Sequence, residues 1–256
     1  MDEAFSQSEF GALIVTGASR GIGAAVALAA ADSGYSVAVN YVRDETAAKR
    51  IVEQIQKRGR EACAIGADIG QESDIIHLFR RAEEELGPIR ALVNNAGITG
   101  GFARVDEIDA TMLEQLMTVN VVGPMLCARE AVKRMSTRYG RSGGAIVNVT
   151  SLAARTGGGG EWVHYAATKG AMNSFTIGLA REVAADGIRV NAVAPGLVET
   201  DIHSAAGEPD RLQRLGPTIP MKRAGLPTEI AAGIIWLLSP AASYVTGAIL
   251  EIGGGR

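Results

Sequence analysis

Residues 12–23 read ALIVTGASRGIG, an apolar run followed at once by a glycine-rich turn and then by an Ala-rich stretch that ends near Gly34. Gly17, Gly21 and Gly23 have the spacing Gly-x-x-x-Gly-x-Gly. Glycine lets a backbone approach a pyrophosphate closely, and the start of a helix offers free N–H groups and the positive end of its dipole. The stretch therefore predicts a strand, a phosphate-binding turn and a helix, as at the first βα junction of a dinucleotide-binding fold. Taken alone, it is also compatible with a turn that is merely tight.

Strands and helices are predicted to alternate along the whole chain. Apolar, β-branched runs predict seven strands, over residues 12–16, 36–41, 62–67, 91–93, 145–149, 188–193 and 249–252. Between them, apolar residues at helical spacing predict helices such as 23–33, 45–57 and 72–86. Strands this apolar are buried on both faces, so we expect an α/β fold: a Rossmann-like three-layer sandwich around a seven-stranded, doubly wound parallel sheet.

The chain has 256 residues, of which 47% are apolar and 21% charged, and these proportions are typical of a globular protein. We expect a single domain over residues 1–256, because there is no internal repeat or linker. The longest stretch without clear periodicity covers residues 201–228. Within a compact domain, such a stretch is interpreted as a functional loop or lid.

Composition argues against several classes of partner. The 25 Lys and Arg are balanced by 28 Asp and Glu without a basic run, which argues against nucleic acid and acidic lipid. The longest apolar run, residues 24–31, is far shorter than the roughly 18 residues that cross a bilayer. The acidic start, Met1-Asp2-Glu3, does not resemble a secretory signal, so we expect a cytoplasmic protein. No metal site is expected from three scattered histidines, and Cys63 and Cys127 are interpreted as core residues.

Tyr165 and Lys169 are four residues apart, so on a helix they project from one face. A free Tyr has a pKa of about 10, and a nearby cation stabilises the phenolate and lowers that value. We therefore expect Lys169 to lower the pKa of Tyr165 and to make it a proton-transfer group. An ordinary surface Tyr and Lys would be the alternative if the pair stood alone.

These patterns together resemble the short-chain dehydrogenase/reductase family, whose cofactor turn reads T-G-x-x-x-G-x-G. Residues 94–97, NNAG, are similar to the family's N-N-A-G motif, and residues 165–169, YAATK, to its Y-x-x-x-K motif. Ser151 lies fourteen residues before Tyr165, at the long end of the family's spacing. The resemblance covers residues 11–254. It implies an NAD(P)(H)-dependent oxidoreductase that transfers a hydride between nicotinamide and a carbonyl or secondary alcohol.

The resemblance also implies roles for four catalytic residues. Ser151 would hydrogen-bond the substrate oxygen, while Tyr165 would give or remove its proton as the general acid or base. Lys169 would also bind the nicotinamide ribose, and Asn120 would hold a water that links Lys169 to solvent. For Asn120, a bond to a nearby carbonyl is the alternative. Thr150 competes with Ser151, but it should point to the other face of its strand.

The end of the second predicted strand bears on cofactor choice. An acidic residue there would bind the 2′-OH of NAD and repel a 2′-phosphate. Residues 40–43 instead read NYVR, and Arg20 and Arg43 could both meet a 2′-phosphate. We therefore expect NADP(H) to be favoured over NAD(H), and Asn40→Asp to shift the preference toward NAD(H). An Arg43 that only faces solvent, or an inward turn of Asp44 or Glu45, would weaken this interpretation.

The full set of cofactor-binding residues is implied by the resemblance, with Asp68 beside the adenine. It consists of Gly17, Ser19, Arg20, Gly21, Ile22, Gly23, Asn40, Tyr41, Arg43, Asp68, Ile69, Asn94, Ala96, Gly97, Tyr165, Lys169, Pro195, Gly196, Val198 and Thr200.

The substrate pocket is expected to include Ser151, Leu152, Trp162 and Tyr165. The chain resembles 3-oxoacyl-carrier-protein reductases and glucose-dehydrogenase-like bacterial members about equally, which leaves a 3-oxoacyl thioester or a sugar as the substrate. Arg155 is interpreted as facing solvent, with pairing to a substrate anion as the alternative. A catalytically silent NADP(H)-sensing protein of the same fold is the alternative function, and the intact catalytic residues count against it.

A homotetramer is expected, because the family packs two long helices against symmetry mates. Here these helices contain residues 119–135 and 165–185, and each carries apolar or small residues on more than one face. These residues are Val121, Val122, Met125 and Leu126 in the first, and Ala171, Met172, Phe175 and Leu179 in the second. Deep burial in a large monomer is the alternative. Residues 201–215 are expected to order over the pocket when ligands bind.

Overall fold

Seven parallel strands form one sheet in the computed structural model, which describes residues 10–201 and 207–256. The strands are β1 Ala12–Val15, β2 Ser36–Tyr41, β3 Ala62–Gly66, β4 Ile89–Asn94, β5 Gly144–Val149, β6 Ile188–Pro195 and β7 Ile249–Ile252. Their order across the sheet is β3-β2-β1-β4-β5-β6-β7. The predicted seven-stranded, doubly wound parallel sheet is therefore confirmed. The fourth strand is longer than predicted, because Ile89 pairs with Ala12 on β1 and Asn94 with Asn148 on β5.

Helices cover both faces of this sheet. They are α1 Gly21–Asp32, α2 Glu45–Gln56, α3 Glu72–Leu86, α4 Ala110–Met117, α5 Gly123–Met135, α6 Ala153–Thr156, α7 Val163–Val183, α8 Arg211–Leu215 and α9 Pro227–Leu238. A π-helical turn, Thr118–Val122, joins α4 to α5. None of the described helices is both long and apolar enough to cross a bilayer.

Alternation along the strands divides the core into two layers. Leu13 and Val15 of β1 pack with α1, α2 and α9, whereas Ala12 and Ile14 pack with α3, α5 and α7 on the opposite face. All four side chains are fully buried. Because successive strand residues point to opposite faces, a strand buried on both sides is apolar throughout. Each Leu or Ile buried in this way contributes about 1.5–3 kcal/mol.

The strand order reverses between β1 and β4. Strands β2 and β3 follow β1 toward one edge of the sheet, and β4 to β7 follow toward the other edge. In an open parallel sheet, the crevice at such a reversal, at the carboxyl ends of the strands, is where ligands bind. The predicted motifs lie at this edge: Gly17 follows β1, Asn95 follows β4, and Ser151 follows β5. Pro195 ends β6 beside them.

Residues 201–228 are not one irregular loop. They include α8 and a 3₁₀ turn, Gly216–Thr218, and α9 already begins at Pro227. Proline suits the first turn of a helix, since its missing N–H would have no partner there. Residues 202–206, near the start of the predicted lid, lie outside the described residues.

Candidate active site

One side chain from β2 and one from the loop after β4 hold the glycine turn in place. The Gly17 N–H donates to Asn40 Oδ1 at 3.1 Å, and Asn95 Nδ2 donates to the carbonyls of Thr16 and Gly17 at 2.9 and 3.1 Å. A methyl group on Gly23 would stand 2.4 Å from the Gly17 oxygen. The turn is therefore closed so tightly that no larger residue fits at position 23.

The helix that follows the turn begins with unsatisfied N–H groups. Gly21 has a φ of +56°, and α1 has neither a side-chain cap at Arg20 nor an acidic residue in its first turn. Thr200 lies against the same place, since a Cβ on Gly21 would be 3.4 Å from its methyl group. Free N–H groups and an uncompensated helix dipole suit a pyrophosphate. Ser19 and Ile22 lie on either side of Gly21, at the start of α1. The turn and the start of this helix therefore fit the pyrophosphate of a dinucleotide.

Asn40 was expected to meet the cofactor, but its side chain is buried. Besides accepting the Gly17 N–H, its amide donates to the carbonyls of Ile65 and Ala67 at 3.3 and 2.9 Å. The expectation that Asn40 faces the ribose is therefore wrong for its side chain. It braces the glycine turn against the end of β3, because in β2 alternate side chains point into the core.

The side chain of Asn94 also points into the core. It donates to Pro124 O at 3.1 Å and to Asn148 Oδ1 at 3.0 Å, and Asn148 donates onward to the Thr176 hydroxyl. The expected cofactor contact by this side chain is therefore wrong. The next residue, Asn95, braces the glycine turn instead, and sequence reasoning missed it. The alternation of side chains at a strand end is the signal that would have found it.

Charged side chains near the predicted adenosine site differ in their surroundings. Asp68 is half-buried, and one carboxylate oxygen accepts the Gly70 N–H at 2.8 Å, while Ile69 beside it is buried. Arg20 and Arg43 are exposed, and neither has an ion pair within residues 10–201 and 207–256. Both guanidinium groups are therefore free to meet an anion.

Ser151, Tyr165 and Lys169 come together at the carboxyl end of β5. The Ser151 hydroxyl is close enough to Tyr165 to lower its pKa by hydrogen bonding, and Lys169 Nζ lies 5.6 Å from the centre of the Tyr165 ring. The Lys169 ammonium donates to the Val149 carbonyl at 2.9 Å. The Thr150 hydroxyl donates to Val193 O instead, so Ser151 and not Thr150 meets the tyrosine.

Burial changes the proton affinities of these groups. It raises the pKa of Tyr165 to about 12, against the smaller lowering effect of the Ser151 hydrogen bond, and it lowers the pKa of Lys169 to about 8. The expected lowering of the pKa of Tyr165 by Lys169 is therefore wrong for the protein alone. The reason is that both groups are desolvated, and the ammonium is directed at the Val149 carbonyl.

Asn120 lies in the π-helical turn, and its side chain hydrogen-bonds the backbone of Ile98 and the Thr168 hydroxyl. Its amide donates to Ile98 O at 2.8 Å and its oxygen accepts the Ile98 N–H at 2.9 Å. Gly97 lies between the two groups that the predicted relay would join, since a Cβ there would be 3.2 Å from Asn120 Oδ1 and 3.5 Å from Lys169 Nζ. The bond to a nearby carbonyl is present, and the water relay stays a prediction.

A cavity of about 260 Å³ opens beside the predicted catalytic residues, and Ser151, Leu152, Trp162, Pro195 and Gly196 line it. The Trp162 ring lies 5.5 Å from the Tyr165 ring, centre to centre. These expected pocket residues are therefore together. Glu161 and Arg211 also line the cavity, and sequence reasoning missed them.

Two residues near this cavity are engaged elsewhere. The Val198 side chain is buried in the core layer of α1 and α9, so it does not face a cofactor. Arg155 donates to the Glu251 carboxylate and the Arg256 carbonyl, both at 2.9 Å. Its side chain also remains 57% exposed, so the expectation that Arg155 faces solvent is confirmed.

Comparisons with known proteins agree with this geometry. A family model described as enoyl-(acyl carrier protein) reductase matches residues 17–256. The uncharacterized oxidoreductase YgfF of Escherichia coli (strain K12) is 48% identical over 243 residues, which are 95% of this chain and 98% of YgfF. The 3-oxoacyl-[acyl-carrier-protein] reductase FabG of Staphylococcus epidermidis is 37% identical over 246 residues, covering 94% of this chain and 97% of FabG.

Solved structures extend the likeness to three dimensions. A short chain dehydrogenase from Burkholderia cenocepacia J2315, in complex with NADP, superposes with a TM-score of 0.89 at 30% identity over 98% of this chain and 99% of that one. The family match runs from the glycine turn at Gly17 to the last strand, and so includes Ser151, Tyr165 and Lys169. The chain therefore belongs to the short-chain dehydrogenase/reductase family and is an NAD(P)-dependent oxidoreductase.

Proposed function

We propose that the protein interconverts a carbonyl and a secondary alcohol with NADP(H) as its favoured cofactor, and that Tyr165 is the general acid and base. The observation that carries this proposal is the convergence of Ser151, Tyr165 and Lys169 at the carboxyl end of β5, beside a cavity that Ser151 and Trp162 line. A positioned hydroxyl beside a buried proton-transfer group is what polarising and protonating a carbonyl oxygen requires.

Each residue has a defined task in this proposal. The glycine turn, the start of α1 and Lys169 would hold the nicotinamide dinucleotide, which when bound supplies or accepts the hydride. Ser151 would hydrogen-bond the substrate oxygen and orient it toward Tyr165. The Tyr165 hydroxyl keeps its proton at neutral pH, since its pKa is about 12, so it is ready to donate that proton to a reduced carbonyl oxygen. The Lys169 ammonium would then stabilise the phenolate that remains.

The preference for NADP(H) rests on Arg20 and Arg43. Both are exposed at the edge where the adenosine ribose would lie, and no acidic side chain occupies the end of β2. A guanidinium binds a phosphate through paired, charge-assisted hydrogen bonds. The relative from Burkholderia cenocepacia was solved with NADP, which supports the same assignment.

A substrate panel tests the proposal. Ketones, sugars and 3-oxoacyl thioesters are incubated with NADPH, and with NADH in parallel, while nicotinamide absorbance is followed. We expect turnover of at least one carbonyl class, faster with NADPH. Cofactor binding without turnover of any carbonyl would instead support the silent sensor, and tighter binding of NADH would contradict the assignment to Arg20 and Arg43.

A further inference from the structure

An ion pair between a buried arginine and a partly exposed glutamate forms part of the wall of the cavity beside Ser151. Arg211, on α8, donates through Nη1 and Nη2 to the two carboxylate oxygens of Glu161, at 2.9 and 2.5 Å. The Arg211 side chain is only 4% exposed, although α8 lies at the surface of the fold, and both residues line the same cavity as Ser151. A guanidinium removed from water to this extent needs its partner, so the pair is fixed.

The Arg211 guanidinium packs against two stacked aromatic rings, those of Phe102 and Trp162. The Arg211 guanidinium carbon lies 4.6 Å from the Trp162 ring centre and 5.3 Å from that of Phe102. Phe102 and Trp162 stack at 4.7 Å with 20° between their planes, and Trp162 leans on Tyr165. Arginine is well suited to this position, because its flat cation stacks on aromatic faces while its fork binds a carboxylate.

The pair also joins three separate segments. Glu161 belongs to the loop before α7, and its backbone oxygen accepts the Ala103 N–H of the loop after β4 at 3.1 Å. Arg211 adds the segment between β6 and α9. Displacing the guanidinium would therefore separate the segment that carries Arg211 from the loop that carries Glu161. It would also leave the buried Arg211 charge without a partner.

We propose that Arg211 is a specificity-determining residue: held by Glu161 and stacked on Trp162, its guanidinium is a fixed end wall that restricts the cavity to compact carbonyl substrates. The inference rests on the proposed function and adds the class of substrate to it. The cavity of about 260 Å³ lies below the range of roughly 300–1,000 Å³ that is usual for larger ligands. A substrate that extends on both sides of its carbonyl would have to break the pair. A compact one leaves it intact.

Symmetric diketones of increasing length test whether Arg211 limits substrate size. Both alkyl ends of such a diketone lengthen together, so whichever carbonyl reacts, one longer end must enter the cavity. Butane-2,3-dione, hexane-3,4-dione and octane-4,5-dione are compared by kcat/KM with NADPH. One methylene more or less in a pocket changes kcat/KM by about 10–200-fold. We expect at least a tenfold fall across the series for the unmodified protein. Turnover with no dependence on length would overturn the proposal while leaving the proposed function intact, whereas absence of turnover with every carbonyl tested would overturn the function itself.

Variants show whether the ion pair causes the limit. Arg211→Ala and Glu161→Gln should each raise the octanedione-to-butanedione ratio of kcat/KM about tenfold, and the double variant should add little, because both changes remove one contact. Arg214→Ala is the matched control: it lies on the same helix and pairs with Glu208 at 2.6 Å, but it is exposed and outside the cavity. NADPH titration checks that each variant is folded. If Arg211→Ala fails that check, the nearly isosteric Glu161→Gln decides, and an unchanged ratio in it would overturn the proposal.

Discussion

Burial shifts the pKa values of Tyr165 and Lys169 in opposite directions. Burial raises the pKa of the phenol to about 12 and lowers the pKa of the ammonium to about 8, since each group loses the water that stabilised its charged form. The phenol therefore holds its proton throughout the neutral range, and the lysine is the group that titrates near it. This difference between the two residues determines the expected pH dependence.

Carbonyl reduction should slow as the pH rises through about 8. Above that value Lys169 loses its proton, and the phenolate that forms when Tyr165 gives up its own proton is no longer stabilised. Alcohol oxidation should accelerate with pH, because it needs the phenol already deprotonated. Profiles of kcat in both directions from about pH 6 to about pH 10 measure this. Parallel profiles in the two directions would contradict the assignment of acid and base.

Lys169→Met should lower turnover and weaken cofactor binding together. The substitution keeps the buried aliphatic stem but removes the charge and the proposed contact with the ribose. We expect a loss in kcat of about 10²-fold or more, the usual value of a positioned proton-transfer system, and a higher Kd for NADPH. Kinetics and fluorescence titration measure the two effects. An unchanged Kd would refute the ribose contact.

At the scale of the elements, the glycine turn depends on β2 and β3 as much as on its own residues. The Asn40 side chain joins the Gly17 N–H to the carbonyls of Ile65 and Ala67. Its amide is needed for this, since it accepts on one side and donates on the other. A carboxylate at this position could only accept.

Asn40→Asp should therefore destabilise the protein and leave the choice between NADP(H) and NAD(H) largely unchanged. It sets an acceptor against two buried carbonyls, at a cost of about 1–3 kcal/mol in the free energy of unfolding. Thermal unfolding measures this loss, and titration with both cofactors measures the preference. Arg43→Ala is the comparison: its side chain is exposed, so we expect unchanged stability and weaker binding of NADPH alone. A selective gain for NADH in Asn40→Asp would contradict this account.

The elements themselves were largely predictable, because strand and helix each have a period that burial imposes on the sequence. The glycine turn and the Tyr165 and Lys169 pair are local patterns, so they were found too. Asn95 was missed because the contact was assigned to Asn94, although alternation along β4 points these two side chains in opposite directions. Glu161 and Arg211 were missed because they are 50 residues apart, and only the folded chain brings them together.

At the scale of the whole molecule, apolar side chains remain uncovered on the helices that were expected to pack between subunits. Val122, beside the start of α5, is 47% exposed, and Ile177 on α7 is 36% exposed. Leu126 and Phe175, on the same two helices, are only partly buried. A second copy of the chain would cover such a surface, and the alternative of complete burial within a monomer does not apply to these residues.

We propose that the protein is a homotetramer, and we expect Ile177→Glu to reduce its mass in solution, because a charge would be buried in the interface. Light scattering measures the mass directly. Ile76→Glu is the control: Ile76 is 44% exposed on α3, which is neither of the two helices, and the change should leave the tetramer intact. A monomer mass for the unmodified protein would reject the assembly.

The most direct test of the proposed chemistry is the rate of NADPH-dependent carbonyl reduction in Tyr165→Phe, measured beside the unmodified protein with the best substrate of the panel. The phenyl ring keeps its contact with Trp162 but has no proton to give, so we predict a loss in kcat of about 10²–10⁴-fold with the Kd for NADPH nearly unchanged. Turnover within a few-fold of the unmodified protein would contradict the central claim that Tyr165 transfers the proton.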